Sequence, residues 1–140
     1  MSDAEQNEEQ SQLDLAAILG AEPRFSSQLL TLYIPDRDRD NKEIGTQRQW
    51  VLEAADLLVH IGGGVTIMPP AEGGWLNDEK GEIVWERPIV VYTYIKPDQF
   101  RRYLDRLREF LHHMGHETNQ GEVALEFDGE FYRITTFDES

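Results

Sequence analysis

The sequence predicts a single α+β domain, in which an antiparallel sheet carries two helices on one of its faces. The chain has 140 residues, enough for one hydrophobic core but too few for two ordinary domains. A hydrophobic content of 39% that includes three Trp and six Phe supplies that core. Some stretches alternate apolar and polar residues as strands do, and two others repeat apolar residues at helical spacing.

The first residues differ in composition from the rest of the chain. Residues 1–23 contain acidic side chains and no Lys or Arg, which is typical of a solvated terminal segment. We therefore predict an acidic, flexible tail at 1–24 and a single domain at 25–140. Within the tail, Ser11 and Gly20 bracket an apolar stretch and predict a short helix at 12–19. Such a short helix is marginal alone, so it either docks on the domain, which we favour, or folds against a partner.

The domain begins with a strand and a helix. From about Gln28 the chain reads LLTLYI and stops at Pro35, as expected for a buried strand. A polar loop follows at 35–46. Thr46 and Gln49 then form a capping-box pattern, and apolar residues recur at helical spacing up to the glycines at 62–64. The pattern predicts a first helix over 47–60.

The middle of the chain predicts two strands and a second helix. GVTIM is a short β-branched strand, and residues 69–81 contain the Pro, Gly, Asn and Asp of a long hairpin connection. The return strand, roughly 83–95, is interrupted by Pro88, which indicates a bulge or an edge. Pro97 then opens an amphipathic helix that we expect to end near Gly115.

The C-terminus predicts a β-hairpin. Two alternating runs flank Asp128 and Gly129, a pair that favours a tight type I′ turn. In that register one face of the hairpin is apolar and the other is polar. The apolar face comprises Val123, Leu125, Phe127, Tyr132 and Ile134, and the polar face Glu122, Glu126 and Arg133.

The order of these elements predicts a particular topology. Strand, helix, strand, strand, helix, strand, strand is the split βαβ (βαββαβ) of a ferredoxin-like antiparallel sheet with an added C-terminal hairpin strand. In the right-handed form of that sheet, the connections 35–46, 69–81 and 115–121 meet at one end. Because these loops also hold most of the polar side chains, we expect any small-molecule site at that end.

Histidines near the end of the second helix are candidates for chemistry. His112, His113 and His116, with Glu117 beside them, would suit general acid-base catalysis or a transition-metal site. The pair His112 and His116 shares a side only if the helix continues past Gly115. The alternative is structural, because histidines near a helix C-terminus stabilise the helix dipole.

Acidic residues in the loop at 35–46 are candidates for a divalent cation. Asp36, Asp38 and Asp40 alternate as in the opening of a calcium loop. The pattern is incomplete, because Asn41 stands where that loop has glycine and Gln47 where it has a carboxylate. A charged, solvated loop is the alternative, and no organic cofactor is predicted.

Trp75 and a polar loop form the third candidate site. Trp75 follows two glycines and would provide a flat surface for a ligand, while Asn119, Gln120 and Glu122 would supply hydrogen-bonding groups. The alternative is a core-covering Trp beside an ordinary polar loop, since Trp is buried on average. The glycines at 62–64 do not form a phosphate-binding loop, because they stand at a helix end and lack the Lys that such a loop requires.

Charge and composition limit the partners. The formal net charge of −14 argues against binding a nucleic-acid backbone, and no apolar run is long enough to span a membrane. The absence of cysteine agrees with a reducing compartment, so we expect a cytoplasmic location. We expect a non-catalytic protein-binding or assembly module, forming a homodimer. The alternatives are a small enzyme or ligand- or metal-binding protein using the loop end of the sheet, and an acidic nucleic-acid mimic.

One segment resembles known proteins. The block GGGVTIMPPAEGGW, followed by a long apolar strand, is similar to blocks in uncharacterised small bacterial proteins of ferredoxin-like type. The resemblance covers the chain from about residue 30 onward. It implies a bacterial origin and the fold, and it assigns no catalytic residue.

Overall fold

The computed structural model describes residues 13–23, 26 and 28–139. Three helices and seven strands follow one another in this part of the chain. The helices are α1 (Leu15–Leu19), α2 (Gln47–Gly62) and α3 (Pro97–Glu117). The strands are β1 (Leu29–Ile34), β2 (Thr66–Ile67), β3 (Gly73–Asn77), β4 (Glu82–Glu86), β5 (Ile89–Tyr94), β6 (Val123–Phe127) and β7 (Glu130–Ile134).

Five of the strands form one sheet in the order β2-β5-β1-β6-β7, and every neighbouring pair is antiparallel. The predicted α+β class with an antiparallel sheet is confirmed. β1 lies at the centre because its LLTLYI run buries Leu30, Leu32 and Ile34 completely on the face toward the helices. The other face, which carries Tyr33, is left without a helix.

The core lies between this sheet and the two long helices. α2 contributes Val51, Leu58 and Ile61, and α3 contributes Leu111 and Met114, all of them 3% exposed or less. The first glycine of the triplet at 62–64 is needed for close packing, because a side chain on Gly62 would collide with the hydroxyl of Thr93 and the carbonyl of Tyr94. The second ends α2, since Gly63 takes the left-handed conformation at φ 85°.

The C-terminal hairpin has the predicted register. Val123 lies opposite Ile134, and Leu125 lies opposite Tyr132, with Asp128 and Gly129 in the turn at positive φ. The predicted division into an apolar and a polar face is therefore confirmed. Glu122 and Arg133 lie on the polar face and form an ion pair of 3.1 Å.

The segment 69–95 differs from its prediction. The expected long connection contains a strand, β3, which pairs with β4 as a separate two-stranded sheet. The expected single return strand is two strands in different sheets, because Pro88 has no N–H for a ladder and the chain turns there. We refer to β3 and β4 with their turn as the β3–β4 hairpin.

The three described helices also differ from their predicted bounds, and α2 ends at Gly62 instead of residue 60. α3 continues through Gly115 to Glu117, and the missing side chain of Gly115 makes room for the ring of Phe137, which lies against it. α1 is shorter than predicted and is capped by Asp14, whose carboxylate accepts the N–H of Ala17 at 3.1 Å. Ser11 and most of the predicted tail lie outside the described residues.

The expectation that α1 docks on the domain is wrong. No residue of α1 is buried, and its large apolar side chains Leu15, Ile18 and Leu19 are all more than half exposed. A helix of 5 residues buries too little area to offset the ordering of the segment that connects it. Among the described residues, no helix combines the length and apolarity needed to cross a bilayer.

Candidate functional site

A cavity of about 600 Å³ lies at one end of the open sheet face, beneath the β3–β4 hairpin. Its floor is formed by side chains of β1, β6 and β7, and its walls by the hairpin and by the loops after β1 and α3. The lining residues include Tyr33, Arg37, Asp38, Arg39, Trp75, Glu86, Gln120, Glu122, Ala124, Arg133 and Thr135. This is the end of the sheet at which the sequence placed the three convergent loops.

Hydrogen bonds join the loop after β1 to the loop after α3. The buried amide of Gln120 donates to the carbonyl of Arg37 at 2.8 Å, and the guanidinium of Arg39 donates to the carbonyl of Gln120 at 2.8 Å. The backbone N–H of Arg39 also donates to the carbonyl of Asn119 at 2.9 Å. The two loops therefore form one wall, and Gln120 serves as its internal connection.

Asp36 and Asp38 are used to shape the same wall. The carboxylate of Asp36 accepts the N–H of Arg87 at 3.0 Å, which ties the base of the hairpin to the loop. The carboxylate of Asp38 accepts the N–H of Asp40 at 2.8 Å and of Lys42 at 3.0 Å, closing a turn. These backbone hydrogen bonds hold the pKa of Asp38 below its ordinary value, with Asn119 and Lys42 adding to the effect.

Trp75 reaches the cavity because of the hairpin register. Trp75 lies opposite Val84, and Gly73 lies opposite Glu86, so these four residues share the hairpin face that turns toward the cavity. The alternative of a core-covering Trp is not what the structure shows, since Trp75 is 49% exposed. Its ring is available to a ligand in the cavity.

The arginines of the cavity are already paired. Arg133 contacts Glu122 at 3.1 Å, Arg37 contacts the carboxylates of Asp36 and Glu43 at 3.9 and 3.7 Å, and Arg39 donates to the loop carbonyl already described. Each of them stabilises the wall in which it stands. Acidic neighbours offset the charges of Arg37 and Arg133, whereas the partner of the Arg39 guanidinium is a neutral carbonyl.

Glu86 differs from the other charged residues of the cavity. It is half-buried, and its carboxyl group makes no hydrogen bond or ion pair with any described residue. Burial raises the pKa of Glu86 above its ordinary value, and the nearby negative charges of Asp36 and Glu122 raise it further. The cavity thus holds an unpaired carboxyl group in a locally negative environment, where a positive charge would be stabilised.

Tyr33 lies on the floor of the cavity. Its hydroxyl donates to the carboxylate of Glu126 at 2.8 Å, which lies on the same face of the neighbouring strand. Burial, this hydrogen bond and the charge of Glu126 raise the pKa of Tyr33 to about 12. The ring is therefore a fixed, neutral aromatic surface at neutral pH.

The histidines proposed as catalytic groups lie away from this cavity, on α3. His112 is buried, and its Nδ1 accepts the N–H of Asp138 at 2.8 Å. His113 packs edge-on against Trp50, with ring centroids 5.5 Å apart, and His116 lies near Glu117 at 3.7 Å. None of these four predicted residues, His112, His113, His116 and Glu117, lines the cavity.

The other sequence-predicted residues divide into two groups. Trp75, Gln120, Glu122 and Asp38 line the cavity together, whereas Asp36, Asp40 and Asn119 support its wall from outside. Within the described part of the chain, no three His, Asp or Glu residues are grouped so as to hold a metal ion. The structure adds Tyr33, Glu86 and Arg133 to the site. Strand alternation within LLTLYI, before Pro88 and after Asp128 is the signal that would have placed these side chains on their faces.

Comparisons with known proteins concern the fold. No family model and no curated protein matches the sequence. A phage SAM lyase in complex with S-methyl-5'-thioadenosine is similar in structure, with a TM-score of 0.56 and 13% identity, over 82% of this chain and 95% of that chain. The apo form of a phage SAM lyase gives a TM-score of 0.51 and 12% identity, over 85% of this chain and 98% of that chain. At these identities the similarity shows a shared fold.

Proposed function

We propose that the cavity binds a small organic cation with a flat ring, and that S-adenosylmethionine or a related adenosyl sulfonium compound is its ligand. The observation that carries this proposal is the unpaired carboxyl group of Glu86 in a cavity that also contains Trp75. A sulfonium ion would stand opposite that carboxylate and relieve its repulsion from Asp36 and Glu122. The adenine ring would lie against Trp75, and a volume of about 600 Å³ is in the range of cofactor sites.

The structural similarity to the phage SAM lyases supports this choice of ligand among organic cations. The lyase complex contains S-methyl-5'-thioadenosine, which carries an adenosine group on a neutral sulfur. The proposal concerns binding. It assigns no reaction and gives no catalytic role to His112, His113 or His116, which lie outside the cavity.

Isothermal titration calorimetry with S-adenosylmethionine and with S-methyl-5'-thioadenosine tests the proposal. We expect Glu86→Gln to weaken binding of the sulfonium by about tenfold, equivalent to about 1.4 kcal/mol, and to leave binding of the neutral thioether unchanged. Glu82→Gln is the matched control, because Glu82 lies on the same strand and face but outside the cavity. If S-adenosylmethionine fails to bind at millimolar concentration, or binds equally to both variants, the proposal is wrong.

The finer topology of the sheet belongs with this proposal. We infer a ferredoxin-like sheet with one added strand, because the order β2-β5-β1-β6 is that of a split βαβ with both crossover helices on one face. β7 is the added strand, and the β3–β4 hairpin is an insertion between the second and third strands of that sheet. The insertion carries two of the residues on which binding depends.

Self-association is a second function that one observation favours. The outer face of the β3–β4 hairpin carries Leu76, Ile83 and Trp85, which are 59%, 56% and 63% exposed. We propose that a second copy of this chain covers this face, because it bears no charge whereas the chain as a whole has a net charge of −14. Exposure of an apolar patch to water is also unfavourable, and a two-stranded ribbon is only marginally stable by itself.

Sedimentation velocity over a range of protein concentrations tests self-association. We expect the wild-type protein to dimerise with rising concentration and Trp85→Asp to stay monomeric. Leu104→Asp is the control, since Leu104 is 44% exposed on α3, away from the hairpin. A wild-type protein that stays monomeric at high micromolar concentration would exclude this function.

A further inference from the structure

Tyr33 and Glu126 form a side-chain pair between the neighbouring strands β1 and β6. Tyr33 lines the cavity, whereas Glu126 lies outside the lining and accepts a hydrogen bond of 2.8 Å from the Tyr33 hydroxyl. Both residues stand on the open face of the sheet, where Thr31 lies opposite Glu126. A Phe at position 33 would fill the same floor, so the hydroxyl and its acceptor call for another explanation.

A phenol that donates to a carboxylate has a more electron-rich ring than a phenol in water. The hydrogen bond is charge-assisted, so the proton is shared toward the carboxylate and electron density moves onto the phenol oxygen and into the ring. The pKa of Tyr33, raised to about 12, keeps the proton on the pair at any physiological pH. The negative face of such a ring attracts a cation more strongly than an isolated phenol does.

We propose that Tyr33 and Glu126 make the cavity selective for the charged sulfonium over its neutral thioether. Tyr33 is the specificity-determining residue, because its ring contacts the ligand, and Glu126 is a positioning residue that acts through the Tyr33 hydroxyl. This inference rests on the proposed binding function and extends it. Glu86 supplies a full negative charge to the cation, and the Tyr33 ring supplies a second, aromatic contact that a neutral sulfur does not use.

The alternative role for this pair is structural. In that case, loss of the hydrogen bond would weaken binding of charged and neutral ligands by the same factor, or would only lower the melting temperature. The ratio of the two affinities separates the roles, because a structural defect cancels in the ratio. S-Adenosylhomocysteine is the appropriate neutral ligand, since it differs from S-adenosylmethionine at the sulfur and its methyl group.

The experiment measures the ratio of the dissociation constants of S-adenosylhomocysteine and S-adenosylmethionine by calorimetry. We expect the preference for the cation to fall by about twofold to fivefold in Glu126→Gln and Tyr33→Phe, and by about tenfold in Tyr33→Leu. The affinity for S-adenosylhomocysteine should stay unchanged in the first two variants, which keep the ring.

The chain offers a matched control outside the cavity. Tyr132 donates to Glu130 at 2.6 Å on the exposed surface of β7, so Glu130→Gln removes the same charge from the same kind of pair. Its affinity ratio should equal that of the wild type. A wild-type protein that binds neither ligand would refute the binding function itself. Binding with an unchanged ratio in Tyr33→Leu would refute the selectivity inference and leave the binding function standing.

Discussion

Glu86 illustrates how one side chain connects ligand binding to stability. Its folded-state pKa is raised, by burial first and by Asp36 and Glu122 second, so the folded protein holds this proton more tightly than the unfolded chain does. The stability that the protonated form contributes is fully present below the ordinary pKa of about 4.5 and is lost as pH rises through the folded value. Ionisation of the Glu86 carboxyl group therefore destabilises the folded protein.

We expect Glu86→Gln to raise the melting temperature of the ligand-free protein at pH 7, and we expect this gain to disappear below about pH 4. The measurement is a series of thermal melts by circular dichroism between these pH values. Glu82→Gln, an exposed acid on the same strand, should show no such pH-dependent gain. A lower melting temperature for Glu86→Gln at pH 7 would show that the carboxylate has a stabilising partner.

The packing around Gly115 leaves no room for even a single methyl group. An added side chain would occupy the position of the Phe137 ring, which also lies edge-on to His112. The better helix propensity of alanine is worth about 1 kcal/mol, whereas the displaced ring and its overpacked contacts cost about 1–3 kcal/mol. We expect a net loss of about 1 kcal/mol in the free energy of unfolding.

Urea denaturation of a double-mutant cycle checks this expectation. With Phe137→Ala already present, the ring is gone, and Gly115→Ala should stabilise the protein by about 1 kcal/mol through helix propensity alone. Equal effects of Gly115→Ala in both backgrounds would mean that Phe137 does not restrict this position.

Among the helices and strands, the sequence predicted α2, α3 and the C-terminal turn but did not predict the β3–β4 hairpin. α2 and α3 were predictable because their apolar spacing is long and because Thr46 and Pro97 mark where they begin. The predicted capping box is wrong in one respect, since the Thr46 side chain makes no cap hydrogen bond and accepts instead from the indole N–H of Trp50 at 3.1 Å. The end of α3 was not predictable, because Gly115 indicated a helix end by its local pattern, whereas its missing side chain accommodates the ring of Phe137, far along the chain. Such long-range packing leaves no local signal.

The β3–β4 hairpin was missed for a different reason. Its glycines and its Asp-Glu-Lys-Gly turn dominate the composition, so the segment resembled a loop. Apolar residues stand on both sides of that turn, with Trp75 and Leu76 before it and Ile83 and Trp85 after it. Two apolar runs around a turn are the signal that would have revealed two paired strands.

We expect the hairpin to be dispensable for folding and necessary for binding. Ala71 donates to the carbonyl of Pro88 at 2.8 Å, so the chain ends on either side of the hairpin are close, and Glu72 can be joined to Arg87 directly. The deletion removes no residue of the hydrophobic core. The melting temperature should change by less than about 5 °C, while affinity for S-adenosylmethionine should be lost with Trp75 and Glu86.

Thermal melts and calorimetry on the deletion variant decide this point. Trp85→Thr is the control, since it alters the outer face of the hairpin and leaves Trp75 and Glu86 on the inner face. It should bind like the wild type. A deletion variant that still binds the sulfonium would place the ligand elsewhere in the molecule.

The predicted topology indicated where the cavity lies, and Asp38, Trp75, Gln120 and Glu122 were predicted from the expected loops, but the other strand residues that line it were not. Strand directions follow from element order, so the meeting of loops 35–46 and 115–121 was predictable, and the bonds of Gln120 and Arg39 join them. Tyr33 and Glu86 lie within strands, where a sequence pattern shows a face but not whether another element covers it. The open face of the sheet becomes the floor of a cavity because the β3–β4 hairpin lies over it.

The net charge of −14 sets how two copies of the molecule meet. Like charges on the two surfaces repel over the Debye length, which is about 10 Å at 0.1 M salt and about 3 Å at 1 M. Apolar contact through Leu76, Ile83 and Trp85 does not depend on that screening. Salt should therefore strengthen self-association through the hairpin, whereas it would weaken an assembly held by ion pairs.

We expect the dimer fraction, measured by sedimentation velocity at fixed protein concentration, to rise between 0.1 M and 1 M sodium chloride. Trp85→Asp should stay monomeric at both concentrations, and a wild-type dimer that dissociates as salt rises would identify an ionic interface instead.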